Sequence, residues 1–170
     1  GSFGFKTDSF ADGNLLLWLD ATDVNADGNL SNEPVGGILD QWRDKSGANR
    51  HAGNGRGPEV RVDRWNDLST LKFDGQSQYL RVSDSSAFDF GEDATIFIVA
   101  KGDTLSDWRP ILSKRGEDNV VWQFRKDNTD FATFTVRGTT GNAGQRGGTP
   151  INGETHVWAM RKSQFKRTQW

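Results

Sequence analysis

A chain of 170 residues with 34% hydrophobic residues has the apolar material for one core, not for two independent ones. Its 21 basic and 23 acidic residues leave a formal net charge of -2, which argues against a general nucleic-acid binder, and no apolar run reaches the length of a membrane span. The chain has no cysteine, so disulfides and thiolate metal sites are excluded, while one Met among many Gly, Asn, Asp, Ser and Thr favours short strands joined by turns.

In chain order, Gly1-Ser2 reads as the scar of a cleaved tag, and residues 1–13 as that scar plus a lead-in. One domain is expected over 14–170. Residues 15–19 (Leu-Leu-Leu-Trp-Leu) read as a buried strand closed by Asp20. A polar loop follows over 23–37, then a short strand over 38–44. Glycines at 47, 53, 55 and 57 predict a surface loop over 48–57. Strands are then expected at 71–73, 79–82, 95–100, 109–113, 120–125 and 131–136. Strand 95–100 is apolar on both faces, and 131–136 alternates with a period of two. A glycine-rich loop is expected over 138–153, then two strands at 156–161 and 165–170. Such spacing without helical periodicity indicates a sandwich or jelly roll. The strand-like run up to Trp170 predicts that the fold continues past the end of the sequence.

The sharpest motif is Asp23-Val24-Asn25-Ala26-Asp27-Gly28-Asn29. Oxygen donors at alternate positions beside a glycine bend can converge on one hard cation, with the Asn29 carbonyl as a further ligand. The position where an EF-hand places its bidentate acid holds Pro34, and Glu33 stands one place earlier. The expected ligands of a Ca2+ ion are therefore Asp23, Asn25, Asp27, Asn29 and Glu33. The alternative is an Asx-rich turn without metal, since Asn and Asp side chains bond nearby backbone. Asp20, Asp40 and Asp44 are either additional ligands or turn formers.

Three motifs occur in order: Leu17-Trp18-Leu19-Asp20-Ala21-Thr22-Asp23, Gln41-Trp42-Arg43-Asp44-Lys45-Ser46-Gly47 and Leu71-Lys72-Phe73-Asp74-Gly75. With the strand at 94–101 and His156-Val157-Trp158-Ala159, their order resembles the LamG-like, concanavalin A-like lectin/glucanase superfamily, in particular bacterial secreted or surface members. The resemblance covers about 14–170. It implies an all-β fold, a two-sheet antiparallel jelly-roll sandwich truncated at its C-terminal end. It also implies carbohydrate or glycoconjugate binding as the commonest role, often with calcium.

The residues favour binding over catalysis. Glycoside hydrolysis needs two carboxylates flanking one bond, on the same face of a strand. Glu92-Asp93 and Glu117-Asp118 are adjacent pairs and point to opposite faces. With only His51 and His156, a His-rich catalytic metal site is excluded, and no catalytic residue is assigned. Trp65, Tyr79 and Trp108 are the candidate sugar-stacking aromatics, because each stands in or beside polar sequence. Trp18, Trp42, Trp122 and Trp158 alternate with apolar residues and are expected in the core. Arg161, Lys162, Lys166 and Arg167 mark a solvated edge or a contact with acidic polysaccharide.

The sequence thus predicts a calcium-stabilised, non-catalytic carbohydrate-binding or adhesion module, extracellular or on a cell surface, with flanking domains in a parent protein. A polysaccharide-cleaving enzyme, glycosidase or lyase, and a structural spacer or protein-interaction domain are the alternatives.

Overall fold

In the computed structural model, the structure describes residues 14–62, 67–90, 93–102, 108–115, 120–138, 141–150 and 153–162. The expected C-terminal strand at 165–170 and the candidate Trp65 lie outside them. The protein is all-β: every strand pair is antiparallel, and a short 3-10 turn at Ser86–Phe88 interrupts the strands. The chain divides into two compact units, Gly1–Ser85 and Ser86–Trp170.

The first unit contains β1 (Ala52–Arg56), β2 (Glu59–Val62), β3 (Ser69–Lys72) and β4 (Tyr79–Val82). β1 pairs with β4, and β2 with β3. Two expected strands do not form. Residues 15–19 and 38–44 instead make isolated bridges, Leu19 with Asp44, Ile38 with Glu59 and Trp42 with Ala52. Their backbone is satisfied piecemeal: Trp42 and Ala52 exchange N–H···O bonds of 2.7 and 2.9 Å, and the Lys45 N–H reaches the Trp18 carbonyl at 2.8 Å.

The stretch 48–57, expected as a surface loop, holds β1 and buries Ala52, Gly53 and Gly57. Its glycines allow close approach rather than flexibility. A Cβ on Gly57 would lie 1.6 Å from the Leu39 carbonyl oxygen, and one on Gly55 2.2 Å from that of Tyr79. Only hydrogen at these positions lets the neighbouring backbone pack. The core here is Val24, Leu39 and Val60, with Trp42, Leu71 and Leu80 packed against it.

The second unit contains β5 (Ala94–Lys101), β6 (Pro110–Arg115), β7 (Val120–Lys126), β8 (Phe131–Gly138), β9 (Gly141–Pro150) and β10 (Thr155–Lys162). β6 to β9 form a four-stranded meander, and β5 pairs with β10 over eight residues. The expected loop at 138–153 therefore holds a strand. Gly141–Pro150 carries no hydrophobic alternation and is held by backbone pairing to β8, from Gly138↔Gly141 to Phe131↔Pro150.

The core of this unit consists of Phe124, Ala132 and Met160, with Ile96, Ile98, Leu112, Phe134 and Trp158 around them. One face of the meander thus meets one face of β5 and β10, in two layers. Period-two alternation explains the selection: Ile96 and Ile98 point inward, while Phe97 and Val99 remain 68% and 67% exposed. The Trp122 indole N–H bonds the Phe88 carbonyl at 2.8 Å, anchoring the 3-10 turn to the sheet.

Candidate metal loop and aromatic sites

The loop predicted to bind calcium closes around Asp23, which is fully buried. Its Oδ1 accepts the Asp27 N–H at 3.0 Å and its Oδ2 the Gly28 N–H at 3.1 Å. Gly28 takes φ +83°, the left-handed conformation that glycine adopts without strain. The other donors fold onto the same turn. Asn25 Oδ1 accepts the Asp27 N–H at 3.1 Å, and Asp27 Oδ1 accepts the Asn29 N–H at 2.7 Å. Asn32 and Asn25 amides reach Asp27 Oδ2 at 2.7 and 3.1 Å. The Asn32 amide, the Asn29 N–H and the Asn25 amide hold the Asp27 carboxyl below the usual carboxylate range. Asn29 Oδ1 is occupied by the Ser31 N–H and hydroxyl.

Glu33 closes the loop from the other side. Its Oε2 accepts the Val24 N–H at 3.0 Å, and its Oε1 is buried with no hydrogen-bond partner. Burial pushes its carboxyl up; the Val24 N–H opposes this, and the negative charges of Asp23, Asp27 and Asp20 add to it. A half-paired acid in the field of other carboxylates is favoured by a nearby positive charge. The hydrogen bonds to Asp23, Asn25 and Asp27 orient those oxygens and leave lone pairs for a hard ion. The all-oxygen donor chemistry fits Ca2+. Among the described residues, however, no three Asp, Glu or His side chains stand gathered as a ligand set.

A feature absent from the sequence reading is Lys45. Its ammonium lies 2.7 Å from Asp23 Oδ2, 3.1 Å from Asp20 Oδ2 and 4.9 Å from the centre of the Trp18 ring. Desolvation lowers its basicity, but the two carboxylates outweigh it and push the lysine up. The Lys45 charge thus supplies Asp23 with an internal counter-ion. Spacing could not reveal it, because Lys45 belongs to the second motif, well beyond the loop in sequence.

The neighbouring acids act as turn formers. Asp44 is buried and accepts the N–H of Trp18 (3.0 Å), Ser46 (2.9 Å) and Arg50 (3.0 Å) and the Ser46 hydroxyl (2.8 Å). Burial pushes its carboxyl up, and these bonds together pull it below the usual range. Asp20 accepts the Thr22 N–H and hydroxyl besides pairing with Lys45. Asp40 is exposed. The first two motifs are therefore bound together, with the Trp42 indole N–H on the Asp20 carbonyl at 2.9 Å. In the third, Asp74 accepts the N–H groups of Gln76, Ser77 and Gln78, and these hold its carboxyl far below the usual range. His51 accepts the Asp44 N–H at Nδ1, a packing role.

The aromatic candidates occupy separate places. Tyr79, in β4 of the first unit, is exposed and carries the Arg81 guanidinium 4.9 Å from its ring centre. Trp108, in the second unit, is 50% exposed and carries that of Arg125 at 4.5 Å. Trp122 is buried, while Trp18, Trp42 and Trp158 are partly buried.

No family model, curated protein or solved structure was found to match the chain. Among the described residues no helix is long and apolar enough to cross a membrane.

Proposed function

We propose that this chain is a calcium-stabilised, non-catalytic carbohydrate-binding or adhesion module of a larger extracellular protein. The observation that carries the reading is Glu33, which bonds the Val24 N–H with one oxygen and keeps the other buried and bare beside a loop built on Asp23 and furnished with Asn25, Asp27 and Asn29. Those five residues would hold the ion, Asn29 through its backbone carbonyl, and the ion would stabilise the loop rather than perform chemistry. Tyr79 and Trp108 supply exposed ring faces for sugar C–H surfaces, and the arginines stacked on them supply donors for sugar oxygens. The two packed β layers of the second unit are in keeping with a jelly-roll sandwich of the concanavalin A-like type, which is the fold we propose for the whole domain.

The test is a glycan array read in 10 mM Ca2+ and again in EDTA, with thermal melting in both buffers. The expected result is a calcium-dependent rise in melting temperature and retention on at least one polysaccharide. Unchanged melting would sink the calcium reading. An array without a hit would favour a spacer, and release of reducing ends would favour an enzyme.

A further inference from the structure

A polar row crosses β6, β7 and β8 on the side of the meander opposite the one that buries Phe124 and Ala132. Alternation places Gln123 and Arg125 of β7 on it, and pairing brings Thr135 beside Gln123 and Thr133 beside Arg125. Ser113 of β6 lies across from Gln123. All five side chains are at least partly exposed.

Arg125 stands out in this row. Its Nε–H is buried without a hydrogen-bond partner. The guanidinium is held by stacking under Trp108 instead. The Asp127 carboxylate, two residues along, is drawn into its own turn, where it accepts the Thr129 N–H and hydroxyl and the Phe131 N–H, with the Thr133 hydroxyl at 3.4 Å. Trp108 is half exposed and adopts φ +65°, a left-handed conformation disfavoured for a bulky residue, fixed by its N–H on the Lys126 carbonyl.

We propose that the Trp108–Arg125 corner binds the acidic group, carboxylate or sulfate, of an acidic polysaccharide. A guanidinium with an unsatisfied Nε–H presents a fork to a two-oxygen anion. Drawing it slightly out of the stack pairs the orphan donor, while the outer face of Trp108 takes the sugar ring. Thr133 and Gln123 stand next in the row for neighbouring hydroxyls. The inference rests on the carbohydrate-binding reading and names the substrate class.

The full chain is titrated with polygalacturonate, dextran sulfate and neutral dextran at low and high salt, as wild type, R125Q and W108A. The expected result is salt-sensitive binding of at least one polyanion, weakened tenfold or more by each substitution, with neutral dextran bound at least tenfold more weakly. Which polyanion binds separates carboxylate from sulfate. Wild-type melting temperature in R125Q marks a lost contact rather than a lost fold; W108A removes an exposed ring and decides the matter should R125Q melt early. Polyanion binding unchanged in R125Q and W108A overturns the inference. Binding of neutral dextran alone overturns it and leaves the carbohydrate reading standing; binding of none of the three overturns it, and the array then judges the wider reading.

Discussion

Replacing Glu33 by Gln should invert the stability order of wild type and variant according to whether calcium is present. In EDTA, wild type holds a buried carboxylate oxygen with no partner, in the field of Asp20, Asp23 and Asp27. An unsatisfied buried polar atom costs about 1–3 kcal/mol. Gln keeps an oxygen for the Val24 N–H and turns an amide donor toward those carboxylates. A gain of about 1 kcal/mol is expected, which for a domain of this length raises the melting temperature by about 2–4 °C. In calcium the balance reverses. An extracellular module with a Kd of about 0.1–1 mM gains about 1.4–2.7 kcal/mol from 10 mM ion. The variant has lost the acid that closes the shell and gains little. Thermal melting followed by tryptophan fluorescence reads both arms. A variant less stable than wild type in EDTA and equally responsive to calcium would refute the reasoning.

Four further expectations follow from the same contacts. Asp44→Ala should cost about 3–5 kcal/mol, since it strips the acceptor from three N–H groups and a hydroxyl, and urea denaturation will show it as a lower midpoint. Gly57→Ala should cost about 3 kcal/mol, because the new methyl meets the Leu39 backbone rather than a movable side chain; an unchanged midpoint would contradict the close approach. Because the carboxyls of Asp44 and Asp20 are lowered in the fold, their stabilisation is fully present above the unfolded value near pH 4. It is lost as pH falls through the folded values, so an acid titration of stability should drop below about pH 4, less steeply in Asp44→Asn. Lys45 is raised, so its contribution holds below the unfolded value of about 10.4 and fades as pH rises through the folded one; Lys45→Met should lose that alkaline step and become more dependent on calcium.

The legible parts of the fold were those in which side chains carry the signal. Ile96 and Ile98 against Phe97 and Val99, or Phe124 and Trp122 against Gln123 and Arg125, announce strands by alternation. Gly141–Pro150 is held by backbone pairing, and Ala52–Arg56 by pairing and by glycines that admit the neighbouring backbone, so hydrophobic pattern cannot reveal them. The Leu-rich run at 15–19 misleads in the opposite sense: it is apolar like a strand, yet its links are the Asp44 carboxylate, the Lys45 N–H and the Arg50 guanidinium on the Leu16 carbonyl. At the loop, the alternating oxygens and Gly28 were readable from spacing. Lys45 was not, because an ion pair across the fold has no sequence period. The orphan Nε–H of Arg125 was equally hidden, since it depends on what the neighbouring turn does with Asp127.

An ammonium lodged between Asp20 and Asp23 means that part of the negative charge of this turn is offset by the chain itself. Removing that ammonium would leave the buried Asp23 carboxylate without its charge partner, so the fold of the turn depends on a lysine from a distant stretch of chain.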